Sequence, residues 1–323
     1  MIVSTHEFCS VPMPDEHYGI DDYGKGTPRW CSGCGGHSIL TAVQRVCKDM
    51  QYPPEKTVCV SGIGCSSRFP HYMGTYGFHG LHGRAFPVGC GIKFRRPDLN
   101  VFVITGDGDC CSIGAGHWVH AIRYNMKMVV LLFDNGIYGL TKKQTSPTSP
   151  EGTHSNTHPR GSVLPPINPI QTTLGLANVS FVAQTTDWNA AHLYATIQTA
   201  ALHDGLAFVR IIQRCPVFMK DLYGDVAANP DELILLSHEN GINLKPNAVK
   251  SFKRVIEHDP ANIHKAREHA ESKDGIPIGL LYKNTSAPRY DLYGAHNMGM
   301  GNIEKKVALN DLLDQYTISK SST

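Results

Sequence analysis

Apolar and polar positions switch between two periods along this chain, and the switching predicts the fold class. Residues 57–62 (TVCVSG), 101–105 (VFVIT), 128–133 (MVVLLF) and 206–213 (LAFVRIIQ) are short β-branched and aromatic runs, as in buried strands. Between them apolar residues recur at helical spacing. Ile39, Leu40, Val43, Val46, Cys47 and Met50 form one such stripe, ended by Pro53-Pro54, and further helices are expected over 84–94, 112–125 and 189–202. Strands alternating with helices imply an α/β fold with a doubly wound, mostly parallel sheet. In such sheets ligands bind at the carboxyl ends of the strands.

Other stretches fit neither period. Residues 1–28 scatter Pro, Gly, Asp and Tyr and read as an N-terminal arm. Residues 71–83 (HYMGTYGFHGLHG) have neither helix nor strand spacing and suit a loop shaped around a ligand. Residues 141–172 form a polar connection, and connections this long are usually functional. Beyond residue 222 the pattern breaks into short helical pieces, as around 247–258, with one strand expected at 276–282. Residues 223–323 therefore read as a C-terminal extension wrapping the 29–222 domain or covering a partner.

The strand ends carry the candidate chemistry. The run 101–105 stops at Gly106-Asp107-Gly108-Asp109 and enters a helix; the run 128–133 stops at Asp134-Asn135-Gly136-Ile137. A glycine turn entering a helix attracts phosphate, because exposed N–H groups and the helix dipole favour anions. Asp107 and Asp109 would repel a bare diphosphate, and a hard cation between them removes the conflict. Asn135, 28 residues after Asp107, can add a carbonyl oxygen from the neighbouring strand. The unit predicts a Mg²⁺-diphosphate site. A nicotinamide fingerprint would need a third glycine where Cys111 stands.

Composition narrows the remaining classes. A net charge of +2 over 323 residues gives no basis for a nucleic-acid surface, and no stretch has the apolar length of a membrane span. The acidic N-terminus lacks a signal-peptide core, so a cytoplasmic chain is expected, with its ten cysteines as thiols or metal ligands. Cys31 and Cys34 form a CxxC pair ahead of a helix, and Cys65 and Cys215 each follow a predicted strand. Convergence of the four would build a Cys₄ site, which ligand count alone leaves open between zinc and an iron–sulfur cluster. Cys9, Cys47, Cys59, Cys90, Cys110 and Cys111 read as small core or surface residues.

Taken together, WCSGCGGH, GIGCSSR, HGLHGRAFPVGCGIK, GDGD and DNGIYGLTKKQTSPT resemble the β subunit of 2-oxoacid:ferredoxin oxidoreductases over roughly residues 29–220. The resemblance implies thiamine diphosphate, Mg²⁺ and one [4Fe–4S] cluster as cofactors. It implies Mg²⁺ on Asp107, Asn135 and the carbonyl of Ile137, with Gly106, Gly108 and Asp109 at the diphosphate. Gly64, Cys65, Ser66, His82, Gly139 and Leu140 complete the implied cofactor contacts, and Cys31, Cys34, Cys65 and Cys215 are the implied cluster ligands. Where the family's metal turn often reads Asn-Asn, this chain has Asp134-Asn135, which keeps the ligating second position. The implied reaction is coenzyme A-dependent decarboxylation of a 2-oxoacid with electrons leaving to ferredoxin, or its reverse.

His82 is expected to touch the cofactor or substrate, and His79 either to do so or to order its loop. Arg68 and Lys142 are the candidates for a substrate carboxylate, and the GLTK motif resembles the 2-oxoglutarate-type enzymes. The glutamate that activates thiamine is not found here, so an α subunit (or a fused γ-α chain) is expected to supply the pyrimidine half. The alternatives are a pyruvate or broad-specificity enzyme of the same family, a non-redox thiamine decarboxylase, and a zinc-stabilised interaction subunit without catalysis. A decarboxylase would normally carry both thiamine halves in one chain and need no Cys₄ set. A non-catalytic subunit would have no need of GDGD and Asn135.

Overall fold

A computed structural model of the chain describes residues 17–294 and 302–316; the first sixteen residues of the expected arm, with Cys9, lie outside the described residues. Among the described residues eleven strands form, in chain order β1 (Thr57–Ser61), β2 (Tyr76–His79), β3 (Asn100–Gly106), β4 (Met128–Asp134), β5 (Ile137–Tyr138), β6 (Gln144–Thr145), β7 (Phe181–Thr186), β8 (Leu206–Ile212), β9 (Leu233–Ser237), β10 (Arg254–Glu257) and β11 (Ile276–Lys283). Nine of them make one sheet in the order β10-β9-β11-β7-β8-β4-β3-β1-β2, and β5 and β6 pair as a separate small ribbon. Every neighbouring pair in the large sheet is parallel except β11 with β7.

The strands read as continuous apolar runs because both faces are covered. On β3 and β4, Phe102, Ile104, Val129, Leu131 and Phe133 join one core cluster, while Val101, Val103, Met128, Val130 and Leu132 join the other. This is the period of two expected of a strand, with apolar residues at both phases. The first cluster packs under helices α1 (Gly36–Asp49) and α5 (Ala190–Leu202). The second lies under α2 (Ala85–Arg95), α3 (Ala115–Tyr124) and α4 (Pro169–Leu174). The stripe read from Ile39 to Cys47 is the buried face of α1, and the chain leaves that helix through Gln51 at φ 50° before the two prolines.

Three expectations are corrected. Residues 71–83 contain a strand, β2, which forms the exposed sheet edge; its YGFH sequence hid it, since an edge strand facing solvent on both faces needs no apolar alternation. The helical pattern around 247–258 resolves into one short turn, Pro246–Val249, and the exposed strand β10. The C-terminal extension does more than wrap, because β9, β10 and β11 enlarge the same sheet. β7 and β9 were not anticipated. The former reads FVAQTT, and its polar half is buried because Gln184 donates to Pro277 O (2.6 Å) and Thr185 bonds His192 Nδ1 (2.8 Å).

Since β1, β3, β4, β7 and β8 are parallel, their carboxyl ends emerge along one edge. The segments that follow, Gly62–Ser67, Asp107–Gly114, Asn135–Tyr138, Asp187 and Gln213–Cys215, are thereby brought side by side from distant parts of the sequence.

Candidate active site

Asp107 leaves β3 fully buried and enters a helix at once, through a wide π turn over Asp109–Ile113. Such turns are rare and cluster at functional sites. The floor beneath Asp107 is built by the long 141–172 connection; Ser146 and Thr148 close the DNGIYGLTKKQTSPT motif, but its resemblance gave these hydroxyls no role. Ser146 Oγ donates to Asp107 Oδ2 (2.5 Å), Thr148 Oγ1 lies 2.8 Å from both Asp107 Oδ2 and Asp134 Oδ1, and Ser149 Oγ donates to Gly136 O (2.5 Å). Asp134 is also paired with Arg210, through Nε at 2.7 Å and Nη2 at 2.6 Å. Asp107 has no such cation among the described residues. Burial, and then the neighbouring Asp134, hold its carboxyl far above the usual carboxylate range. A divalent cation would reverse that preference, so the acid is suited to a metal.

Above this floor a pocket is lined by Gly64, Ser66, Gly106, Gly108, Asn135 and Ile137, among others. One feature fits an anionic ligand. The Ser66 hydroxyl is buried without a hydrogen-bond partner, 3.1 Å from where a Cβ on Gly106 would lie. Gly108 packs so closely under Tyr138 that a Cβ would lie 2.2 Å from the ring, while Tyr138 Oη donates to Gly108 O (2.9 Å). The residue type at 108 is thus dictated by contact. Asn135 is braced at both ends of its amide, donating to Gln213 Oε1 (3.3 Å) and accepting from Ile137 N (3.2 Å).

Asp109 lines the same pocket, but its carboxylate is taken up by protein donors. Its Oδ1 accepts from Ile63 N (3.1 Å), Gly83 N (2.7 Å) and His82 Nδ1 (2.5 Å), and its Oδ2 from Thr105 Oγ1 (2.8 Å). A carboxylate occupied by four protein donors ties the loops after β1 and β2 to the turn after β3. His82 therefore reaches the pocket held by Asp109. His79 does not line it; its Nδ1 is 2.8 Å from Ser67 O and 3.1 Å from Ser61 Oγ, so it orders its loop.

Cys31, Cys34, Cys65 and Cys215 are brought together around a second cavity of about 190 Å³. A Cβ on Gly139 would stand 3.5 Å from Cys65 Sγ and 3.8 Å from Cys215 Sγ, so these two sulfurs flank one glycine. Trp30 Nε1 donates to Cys65 O (2.6 Å), fastening the CxxC segment to the loop after β1. Burial pushes the Cys34 thiol up to about 11 and Cys65 up to about 12, with the neighbouring thiols acting in the same direction. Among the described residues no three His, Cys, Asp or Glu side chains converge on the position of a single ion. Residue type and count suit either a zinc ion or an iron–sulfur cluster. Of the other cysteines, Cys47, Cys59, Cys90, Cys110 and Cys111 are buried.

Arg68 and Lys142 both line the thiol cavity and not the diphosphate pocket. Arg68 donates to Arg29 O (2.9 Å), while Lys142 sits at φ 72° and is followed by Lys143 at φ 76°. Two successive left-handed lysines are strained, and strain of this kind concentrates at functional turns. The two cavities share one wall, made by Cys65, Asn135, Gly139 and Leu140.

Comparison with known proteins agrees with this geometry. Residues 62–211 match the thiamine pyrophosphate enzyme C-terminal TPP binding domain, and residues 246–293 match the C-terminal part of the pyruvate ferredoxin oxidoreductase beta subunit. The 2-oxoglutarate oxidoreductase subunit KorB of Mycobacterium tuberculosis is 45% identical over 65% of this chain, a match that spans 56% of that relative's length. The 2-oxoacid:ferredoxin oxidoreductase subunit beta of Sulfolobus sp. is 39% identical over 81% of this chain and 84% of its own. Among solved structures, the 2-oxoglutarate:ferredoxin oxidoreductase from Magnetococcus marinus, with 2-oxoglutarate, coenzyme A and succinyl-CoA bound, aligns with a TM-score of 0.77 at 35% identity, covering 91% of this chain and 96% of that one. The chain accordingly belongs to the β subunits of the 2-oxoacid:ferredoxin oxidoreductases, a thiamine diphosphate-dependent family.

Proposed function

We propose that this subunit works in an enzyme that converts 2-oxoglutarate and coenzyme A to succinyl-CoA and CO₂, passing two electrons through a [4Fe–4S] cluster to ferredoxin, or running in reverse. The observation that carries the reading is the shared wall: a diphosphate pocket and a cavity of four thiols meet at Cys65, Asn135, Gly139 and Leu140. When bound, thiamine diphosphate supplies the carbon nucleophile and electron sink for decarboxylation. The chain's own residues do the rest. Asp107, Asn135 and the Ile137 carbonyl would hold Mg²⁺, and Gly106, Gly108 and the free Ser66 hydroxyl would receive the diphosphate. Gly64 and Leu140 flank it, and His82, oriented by Asp109, faces the same pocket. Cys31, Cys34, Cys65 and Cys215 would hold the cluster.

Substrate choice rests on the relatives and on charge. The M. tuberculosis relative and one from Methanocaldococcus jannaschii (36% identical over 67% of this chain) are named for 2-oxoglutarate. Lys142 is the candidate partner of the far carboxylate, with Arg68 beside it. The match at residues 246–293 to a pyruvate enzyme's subunit keeps a broader 2-oxoacid range as the second reading. An α subunit, or a fused γ-α chain, would contribute the pyrimidine half of the cofactor site.

The test is an anaerobic assay of the co-purified complex, following viologen reduction with 2-oxoglutarate, pyruvate and coenzyme A. A brown complex with four irons per chain and a preference for 2-oxoglutarate is expected; a colourless zinc-containing one refutes the cluster. Lys142→Met should raise KM for 2-oxoglutarate roughly ten- to a hundred-fold, the equivalent of one charge-assisted hydrogen bond of ~1.5–3 kcal/mol. Equal effects on 2-oxoglutarate and pyruvate would remove Lys142 from substrate recognition.

A further inference from the structure

A pair of charges behind the thiol cavity has no part in the scheme above. Asp187 follows β7, and its side chain is wholly buried; Arg214, in the segment between β8 and Cys215, lies against it with Nε 3.1 Å from Oδ1 and 3.4 Å from Oδ2. The guanidinium is partly exposed and stacks 5.6 Å above the Trp188 ring. On its other side the Asp187 carboxylate presses on Gly35, where a Cβ would come within 1.9 Å of Oδ2. Gly35 directly follows Cys34 and directly precedes α1, so the carboxylate sits at the electropositive start of a 14-residue helix. The Asp187 backbone N–H donates to Ile212 O (3.0 Å), fixing the end of β7 against the end of β8. One carboxylate thus braces two segments that each carry a candidate cluster ligand, Cys34 and Cys215.

Its charge also lies close to the sulfurs, because the Gly35 that it presses on is the residue next to Cys34. An anion in such a buried place works through a low local dielectric, so its influence on neighbouring charge is strong. A thiolate-ligated iron–sulfur cluster is already anionic, and each one-electron reduction adds a further negative charge. Net charge and hydrogen bonds around the sulfurs are among the factors that set its potential.

We propose that the Asp187–Arg214 pair is a positioning device for the cluster that also sets its reduction potential, Arg214 cancelling a buried negative charge that would otherwise oppose electron uptake. The inference rests on the cluster assignment to Cys31, Cys34, Cys65 and Cys215. It makes Arg214 and Asp187 residues that act through the cluster, without contact to substrate.

Opposite charge changes should move the potential in opposite directions, which loss of packing alone would not do. The experiment is an EPR-monitored redox titration of the anaerobically purified complex, with dithionite as electron donor, on wild type, Arg214→Gln, Arg214→Lys, Asp187→Asn and the Arg214→Gln/Asp187→Asn double variant. Arg214→Gln should shift the midpoint to more negative values and Asp187→Asn to more positive ones. The double variant and Arg214→Lys should lie close to wild type. If Asp187→Asn fails to assemble, the contrast between Arg214→Gln and Arg214→Lys still decides the matter. Cluster-loaded variants whose midpoints stay at the wild-type value, or all shift the same way, overturn the inference and leave the cluster assignment standing. A wild-type complex with no cluster signal overturns that assignment, and this inference with it.

Discussion

Replacing Thr148 by valine, which keeps the shape and deletes one hydroxyl, tests whether the floor under Asp107 prepares it for a metal. The Thr148 Oγ1 atom lies 2.8 Å from Asp107 Oδ2 and 2.8 Å from Asp134 Oδ1, yet it carries one proton and can donate to only one carboxylate at a time. The loss is therefore about one hydrogen bond to a charged acceptor, ~1.5–3 kcal/mol, and not two. Asp134 keeps Arg210 and the N–H of Gly136, so Asp107, left with Ser146 and its own turn, bears the cost. The Thr148 bond also lowers the Asp107 pKa against burial. Without it the proton is held more tightly and competes better with Mg²⁺. Calorimetric titration of the complex with Mg²⁺ at saturating thiamine diphosphate should show affinity reduced about ten-fold, or ~1.4 kcal/mol. The deficit should widen on the acid side of neutrality, and Thr148→Ser should restore most of it. An unchanged Mg²⁺ midpoint with an unchanged pH profile would refute the reasoning.

Two further outcomes concern stability. Arg210→Met leaves Asp134 buried without its cation and should cost ~3–5 kcal/mol in chemical denaturation of the complex, while adding Asp134→Asn should recover most of the loss; a double variant no more stable than the single one would disprove the pairing argument. Burial pushes the imidazole of His192 down to about 3, well below its ordinary value of 6.5. Below pH 6.5 the unfolded chain therefore takes up a proton that the native state refuses, and stability falls by ~1.4 kcal/mol per pH unit until the native pKa is reached. His192→Gln should flatten this acid limb, and an identical slope in the variant would remove His192 as its source.

What the sequence disclosed follows physical lines. Strands buried on both faces, such as VFVIT and MVVLLF, announce themselves because nothing else makes short unbroken β-branched runs. The glycine–aspartate turn and the CxxC pair were visible for a similar reason, since their residue types are costly unless used. Phe181–Thr186 stayed hidden because its polar half is satisfied by tertiary partners that no local pattern shows: Pro277, Arg210 and, on the following helix, His192. Ser146 and Thr148 fall inside a quoted motif, but their role was hidden, since in a long polar connection any hydroxyl looks like any other. Asp109 lines the expected pocket, but its motif position says nothing of where its carboxylate points. Asp187 and Arg214 carried no signal, because an ion pair joining the ends of two strands has no spacing rule.

The reversed strand β11 has a consequence for how the polypeptide is made. Six strands, β2 to β7 across the sheet, can assemble from the first 212 residues, but β7 then ends as an open edge. Its cover, Ile276–Lys283, pairs antiparallel to it and follows roughly 90 residues after Thr186, which at ~5–20 residues per second means several seconds of synthesis. Throughout that interval the nascent chain presents the unpaired backbone of β7, a condition under which edges recruit other chains. Truncation before residue 276 would make the exposure permanent, so the last third of the gene guards the solubility of the first two thirds.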